Sequence, residues 1–395
     1  MRHCYLFNPE NDLALASGLP FFQPSKKIIQ FASDLSMLPI WYAPNGSLVI
    51  SRSKVCDNWN MELFSRLGIS SSWISLDEYN HSSFLDDILF PWGWNPSLVH
   101  WWNGLNHSIN IDFNLLRESS SRAFTIDILS FLQNDNLLSS SLFLPKKLYT
   151  DSEIEKFKLS HDSFVLKAPW SGSGKGLFWS NGLWRDKLSE WSHNVLSSQG
   201  YLLGEVVYEK QVDFAMEFRC MDDEVQFIGY SLFHTDKFGH YNHNFLSTDE
   251  WIENHLMSKL QDPELLLRTK ERLRLFIKSN LASFYNGYLG IDMMLFGENP
   301  EKCQLHPCVE VNLRMNMGIV SRILYNRFVS ESVTGIFKVK TFPTFRELSE
   351  FDTFMQRKYP LLIDVQRVVA GYLPLTVVNS DSRSLAYLLC NVENE

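Results

Sequence analysis

The sequence FVLKAPWSGSGKGL contains the residues whose types and spacing point most directly to chemistry. An apolar run typical of a β-strand ends at Lys167 and is followed by Gly172, Gly174 and Gly176. Because glycine lets backbone N–H groups approach an anion closely, such a loop can bind a polyphosphate, and Lys167 and Lys175 would add positive charge beside it. The alternative is a flexible Gly/Ser hairpin tip, and the glycine pattern alone does not separate the two.

Two well-known phosphate loops do not match this segment. A Walker A loop has Gly where Pro169 stands and Ser or Thr where Gly176 stands. The chain also lacks the HRD and DFG segments that accompany the glycine loop of protein kinases. Neither class of nucleotide-binding protein is therefore predicted.

A second region has oxygen-bearing side chains spaced as metal ligands. Asp292 interrupts an apolar run, while Glu310 and Asn312 are two residues apart and so share one face of a strand. If the two strands pair across the turn at 297–300, two carboxylates and one amide converge, which suits Mg²⁺ held by carboxylates and substrate phosphates. Solvated acids on a surface hairpin are the alternative, although the apolar sequence argues against full exposure. Arg314 continues the same face and could hold a carboxylate or phosphoryl oxygen.

Between these regions lies a strand whose side chains alternate in character. Its apolar face consists of Phe214, Met216, Phe218 and Cys220, and its charged face includes Asp213, Glu217 and Arg219. A charged face beside a glycine loop could line a cleft or simply meet solvent. The alternation alone decides neither.

Taken in order, these motifs resemble those of the ATP-grasp superfamily, and most closely those of its carboxylate–amine and carboxylate–thiol ligases. The matching segments are VLKAPWSGSGKG, GEVV, the Asp of GID, and EVNLR followed by MNMG, within about residues 115–330. The resemblance implies a nucleotide bound between two α+β subdomains, with ATP and Mg²⁺ (or Mn²⁺) as cofactors. It further implies a small-molecule carboxylate and an amine or thiol as substrates.

The resemblance also implies roles for individual residues. It implies phosphate contacts for Arg122, Lys167, Lys237 and the loop residues Ser171, Gly172, Ser173, Gly174, Lys175 and Gly176. It matches Glu205 and Val207 to the adenine hinge, Asp213 to the ribose-binding acid, Asp292, Glu310 and Asn312 to the metal ligands, and Arg314 to the arginine near the acyl phosphate. Catalysis is implied for Lys167, Lys237 and Arg314. Arg122 stands where lysine is commoner, and Asp213 has a shorter reach than the usual Glu.

The expected fold class is an α/β N-terminal domain followed by an α+β ATP-grasp unit made of a lid and a catalytic subdomain. Alternating short strands and helices predict a mainly parallel sheet in residues 1–115. The lid with its glycine-rich loop is assigned to 116–205 and the catalytic subdomain to 206–340. Residues 341–395 are predicted to form a helix and a β-hairpin that pack on the core, with the hairpin turn at 379–382.

The leading functional hypothesis is a ligase that activates a carboxylate as an acyl phosphate for attack by an amine or thiol. A small-molecule kinase on the same fold is the alternative within enzymes, with Glu217 as its candidate general base. A nucleotide-binding module without turnover is the third hypothesis.

Composition limits the other classes. The 395 residues carry a formal net charge of -9 and no polybasic run, so neither a nucleic-acid nor an anionic-membrane partner is predicted. No apolar stretch approaches the ~18 residues of a membrane span, the first residues lack a signal-peptide core, and six cysteines are too few for a disulfide framework. We therefore expect a cytoplasmic enzyme, and a homo-oligomer is left open.

Residues for the substrates are less apparent in the sequence. The segment 8–12 follows the first strand, at the end where open α/β sheets bind ligands. Trp92, Trp94, Trp101 and Trp102 could wall a pocket, although packing is the commoner role of tryptophan. We hypothesise that four further residues face the acceptor site: His234, Tyr241, His243 and Asn244. A metal knuckle is not favoured for Cys303, His306 and Cys308, because four ligands cannot be assembled locally.

Overall fold

The computed structural model describes residues 1–82, 86–109, 111–171, 176–180, 187–236 and 239–391, and in these residues the strands form three sheets of four, four and nine strands. No helix within the described ranges combines the length and the apolar character that are needed to cross a bilayer.

The N-terminal sheet is parallel, with strand order β3-β2-β1-β4. Its strands are β1 (Arg2–Leu6), β2 (Leu48–Ser51), β3 (Ser72–Ser75) and β4 (Asp87–Pro91). The helices up to the start of the next sheet are α1 (Asn11–Ser17), α2 (Lys26–Asp34), α3 (Pro39–Tyr42), α4 (Met61–Arg66), α5 (Leu76–Asn80), α6 (Pro96–Gly104), α7 (Phe113–Ser119) and α8 (Phe124–Asn134). β2 is buried along its whole length, which is typical of a parallel strand covered on both faces. The predicted parallel α/β domain is confirmed.

The small sheet is antiparallel, with strand order β5-β8-β6-β7. Its strands are β5 (Lys146–Leu148), β6 (Phe164–Lys167), β7 (Leu177–Trp179) and β8 (Leu202–Val206), and its helices are α9 (Asp151–Ser160) and α10 (Leu188–Gln199). Leu166 packs with both helices in one core, while its neighbours Val165 and Lys167 point to the opposite face and line a cavity. The alternation of side chains along β6 thus places the packing residues on one face of the strand and the cavity-lining residues on the other.

The large sheet is built from antiparallel neighbours in the order β13-β12-β9-β10-β11-β14-β17-β16-β15. Its strands are β9 (Lys210–Met221), β10 (Glu224–Thr235), β11 (Tyr241–Leu246), β12 (Gly287–Phe296), β13 (Gln304–Asn312), β14 (Gly335–Thr341), β15 (Leu362–Asp364), β16 (Arg367–Pro374) and β17 (Ser384–Cys390). The accompanying helices are α11 (Asp249–Lys259), α12 (Glu264–Asn280), α13 (Met317–Phe328) and α14 (Phe345–Lys358).

The two faces of β9 follow the predicted alternation. Phe214, Met216 and Phe218 are fully buried in the core that β9 shares with α8 and α12. Asp213 and Glu217 lie on the other face and line the cavity. Of the two possibilities left open by the sequence, a cleft and a solvated face, the structure shows the cleft.

The C-terminal segment differs in one respect from the prediction. β16 and β17 pair in antiparallel fashion on either side of the predicted turn at 379–382, but β17 also pairs with β14. These strands therefore extend the large sheet instead of packing on the core as a separate hairpin. α8, assigned to the lid by the sequence, packs in the same core as β9. The domain boundaries at 115, 205 and 340 remain a prediction.

Candidate active site

One cavity of about 1310 Å³ lies where the three sheets meet. Its walls come from the loop after β1, from α2, from the inner faces of β6 and β8, and from the cavity-facing sides of β9, β10 and β13. The start of α13 and the ends of β14 and β17 complete the lining. The space is large enough for a nucleotide and a second small molecule, since ligand pockets commonly measure about 300–1,000 Å³.

The three predicted metal ligands lie together on one wall of this cavity. β12 pairs with β13 so that Asp292 is opposite Glu310 and Gly290 is opposite Asn312. The Asn312 Nδ2 atom donates a hydrogen bond to Asp292 Oδ2 over 3.1 Å. Burial, together with the nearby Glu310 carboxylate, raises the pKa of Asp292 to about 7. The convergence that the sequence predicted is therefore present in the structure.

This donor set fits Mg²⁺ better than a metal that needs an all-protein cage. Among the described residues, no three His, Cys, Asp or Glu side chains form a group that could hold a metal ion. Two carboxylates and an amide oxygen are hard ligands, and Mg²⁺ is commonly bound by one or two carboxylates plus substrate phosphates. A divalent cation would also relieve the cost of burying Asp292 beside Glu310.

Two predicted phosphate-binding cations reach the same wall. The buried Arg122 guanidinium lies 3.1 Å from the Glu310 carboxylate and donates to the carbonyl oxygen of Ala168 over 2.8 Å. Lys167, at the end of β6, forms a 2.6 Å ion pair with Glu205 of the neighbouring strand β8. Both cations thus hold carboxylates in this structure, at positions facing the cavity.

The glycine-rich loop is described at its two ends. Arg122 donates to both the side-chain and the carbonyl oxygen of Ser171, and the Ala168 N–H donates to the Gly176 carbonyl oxygen over 2.8 Å. Gly176 has a φ of +69°, and a Cβ there would meet the Ser171 hydroxyl at 2.5 Å, so this position needs glycine. Outside the described residues lie Gly172, Ser173, Gly174, Lys175 and Lys237.

The predicted adenine and ribose contacts line the cavity end next to β8. Glu205 and Val207 belong to its lining, and the Val207 N–H donates to the Ser163 carbonyl oxygen over 3.2 Å. Asp213 accepts hydrogen bonds of 2.6 Å from Lys210 and from Thr235. Lys210 is a further cation at this end of the cavity. It was not predicted, although it stands only three residues before Asp213 in the sequence.

Arg314 is held by a residue far away in the sequence. Its Nε and Nη2 atoms donate to the two carboxylate oxygens of Asp12, each over 2.7 Å. Burial lowers the pKa of Arg314, but the ion pair and hydrogen bonds with Asp12, together with the nearby carboxylates of Glu310 and Asp292, raise it overall. The bidentate pair joins the first turn of α1 to the segment that follows β13 and fixes the guanidinium at the cavity wall. The sequence placed Asp12 at a ligand-binding edge but gave no sign of this pairing.

A polar cluster forms the part of the cavity beyond the metal-ligand candidates. Glu217 accepts a 2.9 Å hydrogen bond from Asn316, and Asn244 donates to Ser231 over 2.7 Å. The Tyr241 hydroxyl donates to the Asn244 side-chain oxygen over 2.6 Å. These residues line the cavity and, apart from Tyr241, are buried. Burial raises the pKa of Glu217 to about 8.

The remaining candidates separate into two groups. Tyr241 and Asn244 face the cavity, whereas the rings of His234 and His243 contact each other across strands β10 and β11 outside its lining. Trp92 lines the cavity, but the rings of Trp101 and Trp102 contact Tyr79 in the N-terminal domain. In each of these two segments, 234–244 and 92–102, some of the predicted residues line the cavity and others pack elsewhere.

Known protein families and curated proteins give no match to this sequence. Solved structures do. An N5-carboxyaminoimidazole synthetase from Staphylococcus aureus complexed with ADP is 12% identical with a TM-score of 0.51, covering 100% of this chain and 94% of that one. A biotin carboxylase–β-γ-ATP complex from Campylobacter jejuni is 12% identical with a TM-score of 0.52, covering 98% and 87%.

A third similar structure is the biotin carboxylase domain dimer of 2-oxoglutarate carboxylase from Hydrogenobacter thermophilus, in complex with MgADP, ADP and bicarbonate. It is 10% identical with a TM-score of 0.51, and the coverage is 98% of this chain and 85% of that one. At such low sequence identities, the comparison shows a shared fold and does not identify substrates. The chain has the ATP-grasp fold, as the order of its motifs predicted.

Proposed function

We propose that the protein is an ATP- and Mg²⁺-dependent, ADP-forming ligase that joins a small-molecule carboxylate to an amine or thiol. The observation that carries this proposal is the convergence of Asp292, Glu310 and Asn312 with Lys167 and Arg314 on one cavity. Supporting it, the similar structures named above contain ADP, MgADP or an ATP analogue.

The proposed nucleotide site lies between the small and large sheets. Glu205 and Val207 of the β8 end bind the adenine, and Asp213 binds the ribose. Lys167 and Arg122 contact the phosphates, as do the residues of the loop from Ser171 to Gly176 and Lys237. Because Lys167 and Arg122 are ion-paired to Glu205 and Glu310, nucleotide binding requires that they exchange carboxylate partners for phosphate oxygens.

Asp292, Glu310 and Asn312 would hold Mg²⁺, which neutralises charge on the transferring phosphoryl group when it is bound. The substrate carboxylate oxygen attacks the γ-phosphorus, the bond to the β–γ bridging oxygen breaks, and ADP leaves. The acceptor, as the neutral amine or the thiolate, then attacks the acyl carbon, the bond from that carbon to the phosphate oxygen breaks, and inorganic phosphate departs, taking up the proton that the amine nitrogen loses. Arg314, oriented by Asp12, stabilises the charge that develops on the acyl phosphate. No protein nucleophile is needed, so positioning and electrostatics carry the catalysis.

A three-way product assay tests the proposal. The protein is incubated with ATP, Mg²⁺, a pool of carboxylic acids and pools of amines and thiols, and phosphate, ADP and AMP are measured. ADP and free phosphate that require both an acid and an acceptor support the ligase. ADP with a phosphorylated organic product would indicate a kinase instead, and nucleotide binding without turnover in any mixture would indicate a binding module.

A further inference from the structure

The register of the large sheet gives Glu217 a defined place relative to the metal-ligand candidates. Across β9, β12 and β13, one row contains Ala215, Asp292 and Glu310, and the next contains Glu217 opposite Gly290. Asp213 lies one row away in the other direction, at the nucleotide end. Since alternate residues of a strand share one face, Glu217 lies on the same wall, in the row of Asn312 and one row past Asp292 and Glu310, on the side away from Asp213.

The backbone around Glu217 is shaped to admit its carboxylate. A Cβ on Gly290 would come within 2.4 Å of Glu217 Oε2, and a Cβ on Gly318 within 2.1 Å of Oε1. Both positions therefore exclude any larger residue while Glu217 keeps this place. Oε2 accepts the hydrogen bond from Asn316, and Oε1 accepts none from any residue in the described part of the chain. Glu217 is 1% exposed, yet it belongs to the cavity lining.

The other carboxylates of this wall differ from Glu217 in their partners. Glu310 is paired with Arg122, and Asp12 is paired with Arg314. Within the described ranges, Asp292 and Glu217 have no ion pair. A metal ion would supply the counter-charge of Asp292. No described residue offers a cation to Glu217, so its buried carboxyl group favours the protonated form until a cation from a ligand reaches it. Burying such a group unpaired is costly, and the raised pKa of Glu217 reflects that cost.

We propose that Glu217 binds the ammonium group of the acceptor substrate, and that the acceptor is a primary amine and not a thiol. This inference rests on the proposed function. A cationic head group satisfies both the charge and the open Oε1 atom of Glu217, and the adjacent Ser231 hydroxyl can accept a second hydrogen bond from it. The bound ammonium releases one proton to solvent, its neutral nitrogen forms the bond to the acyl carbon, and the second proton leaves with the departing phosphate. A thiol must attack as an anion, and the carboxylates of Glu217 and Asp292 disfavour a thiolate there.

The test separates acyl phosphate formation from acceptor binding. Wild type and the isosteric Glu217→Gln variant are given ATP, Mg²⁺ and a pool of carboxylic acids, with one of three acceptors. These are the twenty standard L-amino acids, a thiol pool of coenzyme A and N-acetylcysteine, or hydroxylamine, which is largely uncharged at pH 7 and traps acyl phosphates as hydroxamates. Glu224→Gln is the matched control, because Glu224 lies on β10 of the same sheet and forms an exposed ion pair with Lys278 of α12.

We expect turnover of the wild type to respond to the amino acids and not to the thiols. In Glu217→Gln the KM for the amine should rise about 10- to 100-fold, the range for a lost charge-assisted hydrogen bond, while hydroxamate formation persists. Hydroxamate formation that falls as far as amine turnover would overturn the role of Glu217 and leave the ligase intact, as would stimulation of the wild type by thiols alone. Absence of any hydroxamate from the wild type would overturn the proposed function itself.

Discussion

The proposed nucleotide end and the proposed substrate end of the cavity differ in how their charged groups are paired. At the nucleotide end, Lys167 is paired with Glu205, and Lys210 with Asp213. At the proposed substrate end, the half-buried Asp292 and the buried Glu217 have pKa values raised to about 7 and about 8. Under the proposed function, the first end exchanges these internal carboxylates for phosphates. At the second end the raised pKa values favour the protonated carboxyl groups until a metal ion and a cationic substrate favour the charged form.

The strongest way to test the comparison is to remove one carboxylate of the metal-ligand set. Glu310→Gln should lower Mg²⁺-dependent ADP formation by about 10²- to 10³-fold, the usual cost of losing one electrostatic contact to a transition state. Arg122 keeps its bonds to Ala168 and Ser171, so folding should survive. ADP release is measured against Mg²⁺ concentration, with the exposed Glu271→Gln as control. Unchanged turnover would refute the metal assignment.

The next largest effect is expected at Lys167. Lys167→Met should weaken the binding of a non-hydrolysable ATP analogue about 10- to 100-fold, because a charge-assisted contact to phosphate is lost. Calorimetric titration measures the Kd. Glu205→Gln is the informative companion, since removing the competing carboxylate should leave nucleotide affinity equal or higher. If both variants weaken binding equally, the ion pair is structural and the idea of exchanged partners is wrong.

A smaller effect is expected from the titration of Glu217. Its pKa is about 8 in the folded protein against an ordinary 4.5, so folding is penalised once the unfolded chain loses the proton. This contribution to stability is intact below pH 4.5 and is lost as the pH rises towards 8. Between pH 5.5 and 7.0, Glu217→Gln should gain about 1–2 kcal/mol in unfolding free energy relative to the wild type, measured by urea denaturation without ligands. A pH-independent difference would contradict the raised pKa.

The smallest effect is expected at Lys210, whose side chain is 36% exposed. Ion pairs at such depth contribute about 0–1 kcal/mol, so Lys210→Met should change nucleotide affinity only about two- to fivefold. The same titration as for Lys167 measures it. If Lys210→Met lowered nucleotide affinity as much as Lys167→Met, the depth of burial would not explain how strongly each of the two lysines contributes to binding.

Local patterns explain why the fold could be predicted, and why several of the predicted site residues do line one cavity. The alternation of β9 and the glycine-rich segment after β6 are properties of short stretches of chain. The convergence of Asp292 with Glu310 required only that two strands adjacent in sequence should pair, which is the commonest arrangement.

Pairings over long sequence distances could not be predicted in the same way. Arg314 and Asp12 are 302 positions apart, and Asn316 reaches Glu217 across 99. Nothing in the periodicity of either segment encodes which distant carboxylate a guanidinium or amide will meet. The pairing of β17 with β14 was not predicted for the same reason, because a hairpin pattern does not specify which strand from earlier in the chain it will pair with.

The position of β17 has a consequence for how the protein matures on the ribosome. This strand lies between β14 and β16, and the backbone N–H of Ser384 donates to the Asp34 carboxylate, 350 positions earlier. Until residue 390 emerges from the exit tunnel, β14 has an unpaired edge and α2 lacks this anchor on the cavity wall. Exposed strand edges invite misassociation, so the nascent chain is vulnerable during the interval between the synthesis of β14 and that of β17. The cavity, whose lining includes Arg383 and Ser384, is therefore complete only after β17 has joined the sheet.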